Sequence, residues 1–178
     1  MTCRIYVEGE SDGELIRLVL EDLANQYSFK IIVTNGADDA RPSARSASQR
    51  WSDPVMLVTN AETANPSLAR AREQDLDFYF AWRINDRPFK LIQFVPQCEV
   101  VFFEVTGLLE EVLGGPVDPA LKQVGPDAPK KVMSVLGTSV QQIAQTADHS
   151  HIAQRLREHP KLAELRDFVQ TYAHRYAA

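Results

Sequence analysis

The run Arg4-Ile5-Tyr6-Val7-Glu8-Gly9-Glu10-Ser11-Asp12, continued by Gly13-Glu14-Leu15-Ile16, decides how this chain is read. Its first residues are apolar and β-prone, which predicts a short buried strand. Ser11 with Glu14 three positions on has the form of a helix-opening capping box. Leu15, Ile16, Val19, Leu20 and Leu23 then recur at helical spacing, so an amphipathic helix is expected to about Gln26. A buried strand that turns through acidic residues into a helix is the opening of a parallel α/β unit. A second tip of the same kind follows in Val55-Met56-Leu57-Val58-Thr59-Asn60-Ala61-Glu62-Thr63. Parallel α/β folds build their sites where such strand tips meet loops, and both tips carry acidic or amide side chains there.

The rest of the chain extends this rhythm. Phe29 to Val33 is a β-type run closed by the turn signal Thr34-Asn35-Gly36. The polar stretch from Asp38 to Trp51 predicts a loop followed by a helix, and Pro66 opens another helix. Phe78 to Trp82 fits either a strand or a helix end, Asp86-Arg87-Pro88 a turn, and Phe89 to Val95 a strand closed by Pro96. Together these predict an α/β fold with a mostly parallel four-stranded sheet flanked by helices. Beyond Pro96 no convincing strand follows. Helices are expected over 99–113, 128–136, 139–146, 150–158 and 161–176, with Gly115 to Pro129 as a connecting loop. The chain thus divides into an α/β core over 1–97 and a helical extension over 98–178 packed on that core.

Composition narrows the function classes. The chain has 178 residues, 44% hydrophobic and 24% charged, the profile of a globular protein. No apolar run approaches the roughly 20 residues of a membrane span, and the chain opens on a strand rather than a signal segment. A cytoplasmic location is therefore expected. Cys3 and Cys98 read as small core residues in a reducing compartment. A formal net charge of −5 excludes a protein that coats nucleic acid nonspecifically. It leaves room for an enzyme acting on nucleic acid, because metal ions offset local acidic charge.

The candidate chemistry is acidic. Glu8 leaves the first strand beside Gly9, which lets the backbone turn sharply and aims the carboxylate over the sheet edge. Hard cations such as Mg²⁺ take oxygen ligands of this type, one or two from protein and the rest from water. Glu10 and Asp12 follow, with the competing reading that Asp12 and Glu14 favour the positive end of the next helix. Asn60 and Glu62, two residues apart at the strand-three tip, face Glu8 if strands one and three are neighbours. Asn60 can coordinate through its amide oxygen without bringing charge, and otherwise reads as a turn residue. Glu99 and Glu104 lie in the apolar stretch Cys98 to Val105, where a carboxylate is costly unless paired or metal-bound. One of the two is expected to line the site. Lys130 and Lys131 offer positive charge to a phosphoryl transition state, against the plainer reading of a solvated helix face. His149 and His151 flank Ser150, which reads as a helix cap; with His159 and His174 they read as surface residues without a zinc signature. Phosphate-loop, dinucleotide and nucleophile-elbow motifs are absent, so no nucleotide cofactor is expected.

Arg4 to Asp12, the Thr34-Asn35-Gly36-Ala37-Asp38-Asp39 turn and Leu57 to Thr63 together resemble a Toprim domain. Toprim is the catalytic fold of topoisomerases, primases and the overcoming-lysogenization-defect nucleases. The stretch Val95 to Val101, and later Ala128-Pro129-Lys130-Lys131-Val132-Met133, is similar to the tail of small stand-alone Toprim proteins. The likeness runs in order over about residues 3 to 136. It implies that Glu8 is a metal ligand and a general acid or base, that Asp12 is the second acidic position, that Glu99 is the helix glutamate, and that Lys130 stabilises developing charge. It implies Mg²⁺ or Mn²⁺ as cofactor. Asn60 and Glu62 stand where the family has D-x-D and depart from it at both positions. Two functions follow from this resemblance as expectations, beside a third reading without it, an unrelated flavodoxin-like small-ligand binder. One is a metal-dependent nuclease cutting phosphodiester bonds in DNA or RNA, in a phage-defence or DNA-processing setting. The other is a catalytically degenerate regulatory or binding subunit that works with a partner ATPase.

Overall fold

The computed structural model describes residues 1–50, 52–81, 88–146 and 149–174. Four strands form one sheet: β1 (Cys3–Val7), β2 (Phe29–Val33), β3 (Val55–Asn60) and β4 (Phe89–Phe94). Their order is β2-β1-β3-β4 and every pairing is parallel, with Val7 opposite Val33 on one side and Val58 on the other. Helix α1 (Glu10–Leu20) joins β1 to β2, α2 (Ala37–Arg50) joins β2 to β3, and α3 (Pro66–Ala81) follows β3. Because β2 lies to one side of β1 and β3 to the other, the chain reverses direction across the sheet between β1 and β3. In open parallel sheets this switch point leaves a crevice at the carboxyl ends of the strands.

Side-chain alternation sorts the core into two layers. Tyr6, Val55 and Leu57 point to the face covered by α2 and α3, where Ala40, Ala44, Leu76 and Phe80 meet them. Ile5, Val7, Met56 and Val58 point to the opposite face, against Leu15, Ile16 and Val19 of α1. The alanines of α2 lie one or two turns apart, which gives that helix a flat, small-residue face suited to close approach. Gly13 does the same for α1: a Cβ there would sit 2.8 Å from Val33 Cγ2.

The helical remainder seals the α1 face. It comprises α4 (Val101–Glu104), α5 (Leu108–Leu113), α6 (Pro119–Val124), α7 (Pro129–Val135), α8 (Val140–Ala144), α9 (His149–Leu156) and α10 (Pro160–Tyr172). Its apolar residues, among them Phe102, Leu108, Met133, Ile143, Leu156 and Leu165, join the same core as Ile5 and Leu15. The tail and the α1 side of the sheet therefore share one apolar interior. Among the described residues no helix is long and apolar enough to cross a membrane.

Several local expectations are corrected. The first helix begins at Glu10 with Gly9 as its cap and without a side-chain capping bond. Ser11 lies inside it, and its hydroxyl accepts from Gln141 Nε2 at 3.1 Å. The helix ends at Leu20 and passes into a 3-10 turn over Glu21–Leu23. The stretch read as a loop before a helix is helical from Ala37, with Pro42 at its sixth position, where it leaves the Asp38 carbonyl without its i→i−4 donor. Phe78 to Ala81 end α3; Trp82, Asp86 and Arg87 lie outside the described residues. The expected 99–113 helix is split, because Val105 is extended and Gly107 is left-handed at φ 76°. The expected loop 115–129 contains α6 and a 3-10 turn, with Asp118 capping α6 through Ala120 N at 2.7 Å. Ser150 is the second residue of α9 rather than its cap. Residues 175 and 176 of the last expected helix lie outside the described residues.

Gly125 gives a direct test of the tail packing. Its φ is −55°, so no backbone strain enters, yet a Cβ there would lie 2.0 Å from Phe103 Cε1. Gly125→Ala is expected to cost about 1–3 kcal/mol as overpacking, read as a lower urea midpoint, and Phe103→Leu in the same chain is expected to recover most of it.

Candidate functional site

Glu8 follows β1 directly and has the same side-chain parity as Tyr6. Thr59 of β3 has the parity of Leu57. Both therefore lean towards the α2 side at the switch point, and the Thr59 hydroxyl donates to Glu8 Oε1. The backbone N–H of Asn60 donates to Glu8 Oε2 at 3.1 Å. Asn60 has the opposite parity, so its side chain turns towards α1, where Nδ2 donates to Asp12 Oδ1 at 3.0 Å. One strand tip thus grips two carboxylates, one on each side of the sheet.

All six candidate residues, Glu8, Asp12, Asn60, Glu62, Glu99 and Lys130, line one cleft of about 460 Å³ at these strand tips. Its lining includes five carboxylates and one lysine. Glu8, Asp12 and Glu99 are 9%, 6% and 5% exposed, so three acidic groups are held nearly out of water. Among the described residues Glu8 has one cationic neighbour, Arg41, with Nη2 at 3.9 Å. Burial pushes the Glu8 carboxyl above its ordinary value, opposed by the Thr59 and Asn60 hydrogen bonds and by Arg41, while the nearby Asp12 adds to the rise.

The members differ in their standing. Asp12 lies in the first turn of α1 and also reaches the cleft, so the helix-dipole reading and the site reading hold for the same residue. Glu62 lines the cleft with Glu8, but it is exposed and the two-residue strand spacing is not what brings it there. The strand ends at Asn60, Glu62 takes a left-handed φ of 52°, and its exposed carboxylate accepts from Gln97 Nε2 at 3.0 Å. Strand alternation simply no longer applies there. Glu99 lines the cleft, whereas Glu104 is exposed and pairs with His159 Nε2 at 2.6 Å. Lys130 is exposed and lines the cleft; Lys131 is exposed and does not. Glu10 is exposed at the rim. His159 departs from the surface reading, being 4% exposed.

Three participants escaped sequence reasoning. Thr59 looked like one more β-branched strand residue. Arg41 lay in a stretch read as a loop. Cys98 is a free, buried thiol as expected, but it also donates to Glu99 Oε2 at 3.5 Å. Burial, followed by the charges of Asp12 and Glu99, pushes that thiol well above its ordinary value, so it stays protonated and serves as a donor.

The donor set suits a hard cation. It is made of oxygens, carries excess negative charge, and includes Asn60 Oδ1, which is buried without a hydrogen-bond partner. Among the described residues no three His, Cys, Asp or Glu side chains are gathered closely enough to hold a metal by themselves. Water and the Asn60 amide oxygen would have to complete any coordination shell.

The raised Glu8 value has a defined sign. The unfolded chain ionises Glu8 at lower pH than the folded one, so stability falls as pH rises from about 4.5 through the folded value. Glu8→Gln is therefore expected to match or exceed the wild type in urea resistance at pH 7, and to lose that advantage below about pH 4.5.

Comparison of the chain with family models, curated proteins and solved structures finds no significant match.

Proposed function

We propose that the cleft at the β1 and β3 tips is a Toprim-like divalent-cation site that hydrolyses phosphodiester bonds in nucleic acid, in a phage-defence or DNA-processing setting. The observation that carries this reading is the convergence of Glu8, Asp12 and Glu99, all nearly buried, at the sheet's switch point beside Lys130 and the unpartnered Asn60 Oδ1. Glu8 and Asp12 would hold Mg²⁺ or Mn²⁺, with Asn60, Glu99 and Glu62 supplying further oxygens. When bound, the ion would offset the clustered negative charge and favour charge on phosphoryl oxygens. Glu8 would take a proton from water or return one to a leaving oxygen only while it does not ligate the ion, because a bound cation lowers a carboxylate's proton affinity. Lys130, exposed at the rim, meets the charge that develops on the departing side.

A second reading rests on one bond. Asn60 Nδ2 donates to Asp12 where the Toprim pattern places a cation between carboxylates, so the amide partly does the cation's electrostatic work. On that reading the protein is a catalytically silent regulatory subunit acting with a partner ATPase.

The two separate cleanly. The first expects Mn²⁺ binding by calorimetry, Mn²⁺-dependent cleavage of an oligonucleotide, and a loss of at least about 100-fold in Glu8→Ala, the usual scale for an acid–base group. The second expects neither binding nor cleavage in the wild type, with Asn60→Asp restoring Mn²⁺ binding. A wild type that binds no Mn²⁺ and gains none with Asn60→Asp would overturn both.

A further inference from the structure

A second cavity, of about 740 Å³, lies on the α2 and α3 side of the sheet and shares Asn60 and Glu62 with the acidic cleft. Its walls include Arg41 of α2 with Arg72 and Tyr79 of α3, and Asp38 and Asp75 complete the charged lining. Arg41 spans the boundary. Its Nη2 is 3.9 Å from Glu8, too far for a hydrogen bond, and its Nε is buried with no partner. The side chain is 35% exposed and lines the cavity, so an external acceptor reaches its guanidinium through the open part of the group and not through the buried Nε. One turn along, Arg45 sits over the Tyr79 ring at 4.3 Å from its centroid. Arg72 is exposed and, among the described residues, forms no ion pair.

We infer that this groove seats one or two nucleotides of a single strand and leads the adjoining phosphodiester to the acidic cleft. The inference takes nucleic acid as ligand from the function proposed above; the groove, its residues and its base preference are new. Arginine forks match phosphate oxygens two at a time, and Arg41 and Arg72 stand on opposite helices across the cavity. Tyr79, backed by Arg45, offers a stacking face for a base. Asp38 and Asp75 accept from amino groups on base edges, as acidic side chains do from cytosine N4. They also explain why the groove is not a uniformly basic track, in keeping with the net charge of −5. The cavity volume falls in the range of small-ligand sites and is too small to enclose a duplex. Cytosine-rich strands are therefore preferred over thymine strands, which carry no exocyclic amino donor.

The test is fluorescence anisotropy with 5′-fluorescein octamers of dC and dT at low salt, in EDTA and again in Ca²⁺. Saturable binding of the dC octamer is expected in at least one buffer and tighter than that of dT. Arg41→Ala and Arg72→Ala are each expected to weaken it about tenfold or more, and Asp75→Asn to narrow the dC over dT preference. Arg72→Lys, an exposed change that leaves folding intact, keeps the charge but loses the fork and is expected to fall between wild type and Arg72→Ala. The inference is overturned by no saturable binding in either buffer, by binding that ignores both arginine changes, or by equal competition from duplex DNA or a phosphopeptide. Failure of the hydrolysis reading looks different: strand binding remains arginine-dependent while Mn²⁺ neither binds nor supports cleavage. Mn²⁺-dependent cleavage with binding indifferent to Arg41 and Arg72 would instead sink the groove alone.

Discussion

The site depends on the grip of β3 on the Glu8 carboxylate. A charged group at 9% exposure is tolerable only when its oxygens are hydrogen-bonded, and both acceptors are taken by consecutive residues, the Thr59 hydroxyl and the Asn60 backbone amide. That arrangement requires β1 and β3 to be direct neighbours in parallel register, with Val7 beside Val58. The crossover of β2 to the far side is what makes them so. Sheet order, strand register and the position of the carboxylate are therefore one constraint seen at three scales.

The same constraint distributes roles by parity. Thr59 supports Glu8 on the α2 side, while Asn60, one residue later, supports Asp12 on the α1 side. A single dipeptide at a strand tip thereby couples residues from the two faces of the sheet. Asn60 also touches both cavities, so a change at this position acts on cation affinity and on the shape of the neighbouring groove together.

Much of this was legible in the residues. The β-prone residues of β1, the apolar run of β3 and the helical spacing after Gly13 point to these elements and place Glu8 and Asn60 at strand tips, while the sheet order alone makes those tips neighbours. The acidic set and Lys130 were visible as polar residues beside strand ends or within apolar surroundings, and they do line one cleft. What could not be read depended on distant partners or on backbone conformation. Ser11 fits a capping pattern, but its hydroxyl is engaged by Gln141, far along the chain. Glu62 has the spacing of a strand residue, yet its left-handed backbone takes it off the strand's alternation. Arg41 sits among serines, alanines and a proline that suggest a loop, because the small residues that let α2 lie close to the sheet, although at helical spacing, are too weakly apolar to stand out as a buried face.

The acidic cleft has walls from both ends of the chain. Its floor comes from β1, α1 and β3, but Glu99, Lys130 and Gln141 close its far side from the helical tail. That tail also supplies the apolar cover of α1, through residues such as Ile143, Leu156 and Leu165. A chain ending after Pro96 would keep four strands and lose the second wall and the hydrophobic seal together. The tail is therefore part of the site and not an appendage to it; any change in its packing against α1 is felt at Asp12, which lies in the first turn of that helix.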